Sequence, residues 1–516
     1  MNYKIKDVNK MSIDELIGQV IMVGIPGLEL DCLYKDFIKE FKIGNYILFA
    51  RNYDNTKQMK KLMHELYQYT IDVTESFPLV SIDQEGGMVV RLFKDVTFPA
   101  SPLTTSATAV SDAPYKTGKI IGQDMMKLGI NLNLAPCLEI NENLSNPLVN
   151  VRGYGATKEL VLKNAKQFVK GLQESNVLSC IKHFPGAGSS TKDSHLELPI
   201  IEEPQEKLLN YNMYPFLNIL ESDALMTSHC LYKTFDELPS TLSKVLLNDV
   251  LRKQIGFEGL IISDGMEMKA ITDTYGLGEG CVMALEAGCD ILLLCHEYDE
   301  QKEAFICVKQ AVEEGRLKIK DLKQKVMRIN NAKEKAKVGL TKLFNNCEYQ
   351  IVEEEHQLMQ KIVDESYTLV LGKEPQLSNK TLIISSNAKI GSIVEDEFDE
   401  RNLTNALTHS FPNHHVIKFN HNESFVLDVL SKINEYDNII VYSYDAYIDQ
   451  IQINTINELL KTNKEVYVVS LKGPIDRSYF NNLINYSCLY EYTPNSIKTI
   501  IKQLKQEISL KGHLPN

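Results

Sequence analysis

A glycine- and serine-rich segment, residues 182–199 (KHFPGAGSSTKDSHLELP), carries a carboxylate and an imidazole two positions apart, Asp193 and His195. In an extended or turn conformation, the carboxylate could fix the tautomer of His195 and raise the basicity of its other nitrogen. The segment therefore suggests a proton-transferring dyad on a mobile loop. Two alternatives stay open. One is a surface loop with incidental polar residues, which composition alone favours, and the other is a metal site that adds His183, although the spacing matches no strong zinc motif.

A second candidate is the carboxylate of Asp264, which ends an apolar run in LIISDGMEMKAI, residues 260–271. A carboxylate delivered by the end of a buried strand can act as a nucleophile, as a general base or as a metal ligand. The alternative is the N-cap of a following helix, a common place for Asp. Glu267 and Glu85 are rival carboxylates for the same chemistry.

A third candidate pairs Asp83 with Arg91 in SIDQEGGMVVRL, residues 81–92. Such a pair offers hydrogen-bond acceptors and donors side by side, which suits a ligand rich in hydroxyl groups. A structural salt bridge is the alternative interpretation of the same two residues.

Short apolar runs that recur through the first three hundred residues are the elements that would position these side chains. Each run is too short for a helix and suits a strand buried on both faces. Between the runs lie helical patterns, such as a capping box at Ser12–Glu15 and an apolar face within residues 55–70. Strands that alternate with helices predict an α/β fold with an N-terminal TIM-type (β/α)8 barrel. The eight runs are 19–24, 46–50, 78–82, 132–135, 178–181, 224–228, 260–263 and 290–294.

Polar side chains follow several of these predicted strands at the point where each strand ends. Barrel enzymes carry their chemistry at the carboxyl ends of the strands, so this clustering predicts one shared site at that rim. A single polar residue would carry no weight, because strands commonly end in polar residues. The residues concerned are Asp83 after the third run, Lys182 and His183 after the fifth, His229 after the sixth, Asp264 after the seventh and His296 after the eighth.

The rest of the chain predicts a second, smaller domain. Residues 300–375 are helical and charged, and strand-like runs return at 381–385, 438–444, 465–471 and 487–492. We therefore expect a barrel domain over 1–340, a helical connector over 341–375 and an αβα-sandwich domain over 376–516. This last domain contains no Gly-x-Gly-x-x-Gly motif, which argues against nucleotide binding there.

Composition excludes several classes of function. The 516 residues carry a formal net charge of −13, which argues against a nucleic-acid partner. The N-terminus lacks the apolar stretch of a signal peptide, and no run reaches the length of a membrane span. The ten cysteines are scattered and include no Cys-x-x-Cys pair, as expected for buried thiols in a reducing compartment. These features predict a cytoplasmic protein.

The order of motifs along the predicted barrel closely resembles glycoside hydrolase family 3, and most of all its bacterial β-N-acetylglucosaminidase branch. The match spans essentially the whole barrel, and the second domain resembles that of the family more weakly. The motifs are ILFARN (47–52), SIDQEGG (81–87), FPA (98–100), GINLNLAP (129–136), NP and VRGYG (146–155), KHFPG, DSH and LP (182–199), MTSH (226–229) and ISDGMEM (262–268).

The resemblance implies a retaining, double-displacement hydrolysis of terminal β-linked N-acetylglucosamine, without a metal or organic cofactor. The implied carbohydrate partners are cell-wall muropeptides or chitin-type fragments. On the matching positions, Asp264 is the nucleophile, His195 is the acid/base and Asp193 orients His195. The resemblance also implies that five residues grip the sugar and that two line or support the pocket: Asp83, Arg91, Arg152, Lys182 and His183, and then His229 and Met268.

Two positions depart from the family pattern. Ala187 stands where a His is usual in the KHFPG stretch, and Glu139 stands where an Asp is usual in APCLEI. A phosphorylase on the same scaffold is one alternative, because a His acid/base repels a phosphate anion less than a carboxylate would. A non-catalytic sugar-binding protein is another, although the joint presence of Asp264, Asp193 and His195 argues against it.

Overall fold

Eight parallel strands close into a barrel in the N-terminal region of the computed structural model, which describes residues 4–142, 146, 149–188, 190, 196–340, 349–386, 402–420, 422 and 424–515. The strands are β1 Ile21–Gly24, β2 Asn45–Leu48, β3 Leu79–Ile82, β4 Leu132–Asn133, β5 Leu178–Phe184, β6 Ala224–Thr227, β7 Leu260–Gly265 and β8 Ile291–Leu294. They pair in sequence order around the barrel, and β8 pairs with β1 to close it. All of these pairings are parallel, so the carboxyl ends of all eight strands meet at one rim.

Helices separate the barrel strands along the chain. Six of the strands (β1, β2, β3, β4, β6 and β8) are buried at every position, as expected for strands covered on both faces. Along the described helices, no segment combines the length and the low charge that a bilayer-spanning helix needs. The helices are Ile13–Gln19, Cys32–Phe41, Thr56–Thr74, Pro102–Ala107, Ala113–Leu128, Lys158–Glu174, Gln205–Lys207, Leu208–Asn212, Tyr214–Leu217, Val245–Ile255, Lys269–Tyr275, Leu277–Ala287, Tyr298–Glu313 and Ile319–Leu340.

The predicted barrel is confirmed, since each of the eight apolar runs contains or overlaps one of its strands. The predicted apolar face of residues 55–70 is the buried face of Thr56–Thr74, where Met59, Leu62, Met63 and Leu66 are all buried. The predicted capping box is also present. Ser12 accepts a hydrogen bond from the Glu15 backbone N–H, and the Glu15 carboxylate accepts one from the Ser12 N–H.

A second sheet of six strands forms the C-terminal domain. Its strands are β9 Thr368–Leu371, β10 Thr381–Ser385, β11 His415–Lys418, β12 Asn438–Ser443, β13 Glu465–Ser470 and β14 Asn485–Cys488, in the order β9-β14-β13-β12-β10-β11. Only β9 is antiparallel to its neighbour among these described pairings. The helices of this region are Glu353–Asp364, Leu403–Ser410, Ser424–Lys432, Gln450–Leu460 and Pro494–Leu504. The predicted α/β sandwich is therefore confirmed as a fold class.

The two edge strands of this sheet are the ones that the sequence pattern did not indicate. β11 has no fully buried position, and β9 has only one, so neither shows the continuous apolar run of a central strand. β9 lies within residues 341–375, the predicted connector, and the sheet thus begins before residue 376. The domain limits themselves stay a prediction.

The hydrophobic core of the second domain includes side chains from the barrel loops. Those side chains come from the connection after β3 and from the loop after β4, and they pack with the buried residues of the second sheet. They are Met88, Leu103, Ala107 and Val151. The two domains therefore share apolar contacts close to the rim where the barrel strands end.

A buried carboxylate reinforces this junction. Glu491 is fully buried, and its Oε2 accepts hydrogen bonds from the Ser101 backbone N–H and from Thr104 Oγ1, both at 2.7 Å. A carboxylate that accepts several hydrogen bonds in an apolar interface fixes the elements that donate them. The second domain thus restrains the connection that follows β3.

A lysine buried at the amino end of the barrel predicts a pH-dependent stability. Lys333 is fully buried, and its Nζ donates to Gln19 Oε1 at 2.6 Å and to the Gly44 carbonyl at 3.0 Å. Burial lowers the pKa of this ammonium to about 7. Because an unfolded lysine titrates near pH ~10.4, the unfolded chain holds more protons than the folded one between these two values. Stability from this group is therefore least below pH 7 and increases as the pH rises above it.

We expect the melting temperature of the wild type to rise relative to that of Lys333→Met between about pH 6 and about pH 9, because methionine does not titrate. Thermal unfolding followed by circular dichroism at several pH values measures the difference. A difference between the two proteins that stays constant with pH would contradict this assignment of the lowered pKa.

Candidate active site

A cavity of about 620 Å³ opens at the carboxyl ends of the barrel strands. Residues at and just after the carboxyl ends of β2, β3, β5, β6, β7 and β8, together with the loop after β4, form its walls. The structure thus brings together side chains that the sequence placed at separate strand ends. Among the predicted site residues, those that line the cavity are Asp83, Arg91, Arg152, Lys182, His183, Asp264 and Met268.

An ion-pair network runs along one wall of this cavity. Lys182 Nζ lies 2.6 Å from Asp83 Oδ1 and 2.7 Å from Glu85 Oε1. Arg152 donates from Nε and from NH2 to the two carboxylate oxygens of Glu85, each at 2.8 Å. Arg91 NH2 lies 4.0 Å from Asp83 Oδ2. The salt bridge that was the alternative interpretation of Asp83 and Arg91 therefore exists, but it lies inside the cavity, where the same groups can meet a polar ligand.

Glu85 is the centre of this network, a role that the sequence did not indicate. Burial alone would raise the pKa of its carboxyl, but the charges of Arg152 and Lys182 outweigh burial and hold that pKa well below its usual range. The pKa of Lys182 is raised, because Asp83 and Glu85 outweigh the effect of its burial. Glu85, Arg152 and Lys182 consequently stay charged at neutral pH and keep a fixed arrangement of donors and acceptors before any ligand binds.

His183 is oriented by Glu139, one of the two residues that depart from the family pattern. Glu139 Oε1 accepts hydrogen bonds from the His183 backbone N–H at 2.9 Å and from Nδ1 at 2.8 Å. The thiol of Cys137 lies 2.7 Å from Glu139 Oε2 and donates to it. Burial would raise the pKa of Glu139, but His183 outweighs it and lowers that pKa to about 2. The longer glutamate side chain thus still reaches the imidazole and fixes its tautomer.

Cys137, Glu139 and His183 also form a group that could hold a metal ion, with ligand atoms within 4.8 Å of one another. This group differs from the metal alternative weighed from the sequence, and it shares only His183 with it. Burial raises the pKa of the Cys137 thiol well above its usual value, so the thiol keeps its proton at neutral pH. A metal ion needs the thiolate, and the group as it stands is a chain of hydrogen bonds that ends on His183.

Asp264 lies where β7 ends and lines the cavity. Its Oδ1 accepts a hydrogen bond from the Gly265 backbone N–H at 2.8 Å. The following helix begins at Lys269 with Met268 at its N-cap, so the helix-cap alternative for Asp264 does not hold. The carboxylate is instead half-buried at the rim, facing the cavity that the ion-pair network also lines.

His229 lies behind Asp264 and is not among the described residues that line the cavity. It is fully buried, its Nε2 donates to the Gly265 carbonyl at 2.8 Å, and its Nδ1 lies 2.8 Å from Thr241 Oγ1. Of the two roles that the resemblance implied for His229, lining the pocket or supporting it, this position favours support, because His229 holds the backbone next to Asp264. The sequence could not distinguish these roles, because both need a polar residue after β6.

Arg51 and Glu267 also line the cavity, and the family resemblance implied no role for either of them. Arg51, after β2, donates to the Cys295 carbonyl at 2.6 Å, to the Ile25 carbonyl at 3.0 Å and to His296 Nδ1 at 2.9 Å. It thereby ties the ends of β1, β2 and β8 together. Glu267, a rival carboxylate in the sequence, also lines the cavity, and its Oε1 accepts from the Cys295 backbone N–H at 2.7 Å.

The predicted dyad of Asp193 and His195 lies outside the described residues. The same segment contributes Ala187 and Ser190 to the cavity wall just before it. Asn146 Nδ2 donates to the carbonyls of Ala187 and Gly188, at 3.1 and 3.3 Å, which attaches this part of the segment to the loop after β4.

Comparisons with known proteins bear on the same region. Residues 12–332 match the family model described as "Glycosyl hydrolase family 3 N terminal domain". A β-hexosaminidase of Photobacterium profundum is 30% identical over 281 residues, which cover 54% of this chain and 81% of that protein. β-Hexosaminidase A of Pseudoalteromonas piscicida is 31% identical over 279 residues, and the match spans about half of each protein, 50% of this chain and 47% of that one.

The similarity to solved structures extends over both domains, as one of them shows. It is a glycoside hydrolase family 3 β-N-acetylglucosaminidase from Paenibacillus sp. str. FPU-7, with a TM-score of 0.91 and 31% sequence identity. The match covers 98% of each chain. The similarity therefore extends beyond the barrel to the second sheet and to the packing between the two domains.

Proposed function

We propose that this chain, which belongs to glycoside hydrolase family 3 and is a glycoside hydrolase, removes terminal β-linked N-acetylglucosamine from oligosaccharides. The observation that carries the proposal is one cavity in which the Asp264 carboxylate faces the network of Asp83, Lys182, Glu85 and Arg152. A carboxylate opposite a dense set of fixed donors and acceptors suits cleavage at the anomeric carbon of a bound sugar.

In the proposed reaction, Asp264 attacks the anomeric carbon and forms a covalent glycosyl-enzyme. His195 protonates the leaving oxygen and then removes a proton from the water that releases the sugar, while Asp193 orients its imidazole. Two displacements at one carbon retain the β configuration. The support for Asp264 is its place at the end of β7 in the cavity, with His229 holding the adjacent Gly265 carbonyl. The roles of His195 and Asp193 rest on the family motif.

The sugar-binding groups in this proposal are those of the ion-pair network and His183. Carboxylate oxygens of Asp83 can accept from hydroxyl groups, and the ammonium of Lys182 and the guanidinium groups of Arg91 and Arg152 can donate to hydroxyl or amide oxygens. His183 has its Nδ1 engaged with Glu139, so its Nε2 is the nitrogen left for the sugar. Met268 is buried to 8% exposure and adds an apolar surface to the same wall.

The choice of N-acetylglucosamine follows the relatives, which are named β-hexosaminidase or β-N-acetylglucosaminidase. Muropeptide fragments of the cell wall and chitin-type oligosaccharides are the two proposed sources of this sugar. A cytoplasmic role in peptidoglycan recycling is part of the same proposal.

Product analysis tests the proposal and separates its alternatives. The protein is incubated with N-acetylglucosaminyl-N-acetylmuramic acid and with chitobiose, each with and without inorganic phosphate, and the products are separated by mass spectrometry. We expect free N-acetylglucosamine under both conditions. A sugar 1-phosphate that forms only with phosphate would show a phosphorylase. Binding of both disaccharides without any product would show a non-catalytic sugar-binding protein.

A further inference from the structure

His296 is a predicted rim residue that has no part in the reaction proposed above. It follows β8, its side chain is exposed, and it lines the cavity. A side chain that is exposed to solvent and still forms part of a cavity wall lies at the mouth of that cavity. His296 is therefore placed to meet the part of a substrate that projects from the cavity.

Two neighbours hold the imidazole of His296 in one orientation. Arg51, which is itself fixed by the Cys295 and Ile25 carbonyls, donates to His296 Nδ1 at 2.9 Å. The phenyl ring of Phe49 lies with its centroid 5.0 Å from that of the imidazole, at an angle of 36° between the two planes, and 4.5 Å from the Arg51 guanidinium carbon. Because a hydrogen bond joins the guanidinium to the imidazole, both lie on the same side of Phe49. Phe49 covers one face of the imidazole, so the exposed surface of His296 includes the other face.

The position of His296 relative to Asp264 fits the leaving group of a bound sugar. Leu293 pairs with Gly265, the residue after Asp264, and His296 comes three residues beyond Leu293. At about 3.3 Å per residue, His296 lies at most about 10 Å further toward the mouth. The ion-pair network that grips the sugar belongs to β3, β5 and the loop after β4, across the barrel from β8. A sugar gripped there, with its anomeric carbon at Asp264, directs its leaving group toward β8.

We propose that His296 is the binding surface for the first sugar of the leaving group, whose ring packs on the imidazole face turned away from Phe49. This inference rests on the proposed function, and it adds a second sugar site to the cavity. The faces of a pyranose ring carry C–H groups, which pack on an aromatic face as other apolar groups do. The cavity, at about 620 Å³, has a size that suits a disaccharide, since pockets for ligands of that mass measure roughly 300–1,000 Å³.

Two substrates that differ only in their leaving group test this role. Chitobiose releases a sugar ring, whereas N-acetyl-β-D-glucosaminyl fluoride releases a single atom that cannot contact His296. We expect His296→Ala to lower kcat/KM for chitobiose about 5- to 20-fold, mainly through a higher KM, because a contact made in both ground and transition states is lost. With the fluoride, kcat/KM should stay within about twofold of the wild type. His64→Ala is the matched control, since His64 is an exposed histidine of the helix Thr56–Thr74 that does not line the cavity, and it should match the wild type with both substrates.

Two further variants separate the ring of His296 from its hydrogen bond to Arg51. His296→Phe keeps an aromatic face without the acceptor, and His296→Asn keeps an acceptor without the ring. We expect His296→Phe to retain kcat/KM for chitobiose within about threefold and His296→Asn to lose as much as His296→Ala.

Three results would overturn the inference alone: unchanged chitobiose hydrolysis in His296→Ala, an equal loss with both substrates, or activity kept by His296→Asn and lost by His296→Phe. The last two would show that His296 acts by holding Arg51 or the whole site. A wild type that hydrolyses neither substrate would overturn the proposed function and this inference with it.

Discussion

Asp264→Ala should lower kcat for 4-nitrophenyl N-acetyl-β-D-glucosaminide by about 10⁴-fold or more, which corresponds to at least about 5.5 kcal/mol of lost transition-state stabilisation. The physical reason is that the carboxylate forms the covalent intermediate, so its removal abolishes a bonding step rather than weakening a contact. Its position supports this expectation, because Asp264 lines the cavity at the end of β7 and does not cap the following helix. Steady-state kinetics with purified protein measure the loss.

Sodium azide distinguishes a nucleophile from a residue that only supports binding. In Asp264→Ala, azide can enter from the face that the carboxylate vacates, so rescue should yield the α-glycosyl azide. A β-glycosyl azide would instead show loss of the acid/base group, and turnover at the wild-type rate without azide would refute the assignment. Asp264→Asn is the matched variant of equal size, and both variants should unfold at temperatures close to that of the wild type because Asp264 is only half-buried.

The barrel could be predicted because its strands are continuous apolar runs. Strands buried on both faces, such as β1 and β8, leave no polar position to obscure the pattern. The edge strands β9 and β11 are partly exposed, and their pattern merges with the helical segments beside them. Burial on both sides, rather than strand length, thus decided which strands the sequence revealed.

The site could be predicted only as a set of strand ends. The rule that parallel strands share a rim brings Asp83, Lys182 and Asp264 together without any knowledge of distances. The partner of each side chain could not be found this way. Glu85 and Arg152 are 67 positions apart in the chain, and their bidentate pairing depends on how the loop after β4 folds back over β3.

The sequence also could not predict whether a side chain at the rim points into the cavity or away from it. His183 lies at the end of β5 and His229 follows β6, yet His183 lines the cavity and His229 is buried behind it. Their local sequences, KHFPG and MTSH, do not differ in a way that sets this direction. The neighbours do, since Glu139 bonds His183 at the cavity wall and Thr241 lies against His229.

Removal of the cation at the centre of the ion-pair network should have the second largest effect. Lys182 is 2% exposed and lies between the carboxylates of Asp83 and Glu85, at 2.6 and 2.7 Å. Lys182→Met keeps most of the side-chain volume but leaves the buried carboxylate of Glu85 and the half-buried carboxylate of Asp83 without their shared ammonium. Loss of one partner from a buried ion pair costs about 3–5 kcal/mol of folding stability. We also expect kcat/KM to fall about 10²- to 10⁴-fold, because the donor for the sugar and the arrangement of its neighbours are lost together.

The free energy of unfolding of Lys182→Met should also depend on pH differently from that of the wild type. Lys182 helps to hold the pKa of Glu85 below its usual range in the folded protein. The stability from this pair is therefore fully present above the pKa that Glu85 has in the unfolded chain, and it is lost as the pH falls through the pKa that Glu85 has in the folded protein. Without the ammonium the pKa of Glu85 rises, and the stability gap between Lys182→Met and the wild type should narrow as the pH falls from about 7 toward about 4. Urea unfolding at several pH values measures this gap.

Lys333→Met is the matched control, since it removes a buried lysine at the opposite end of the barrel and should leave KM unchanged. A gap that widens toward acid pH, or an unchanged kcat/KM in Lys182→Met, would show that this lysine does not hold the two carboxylates for the sugar.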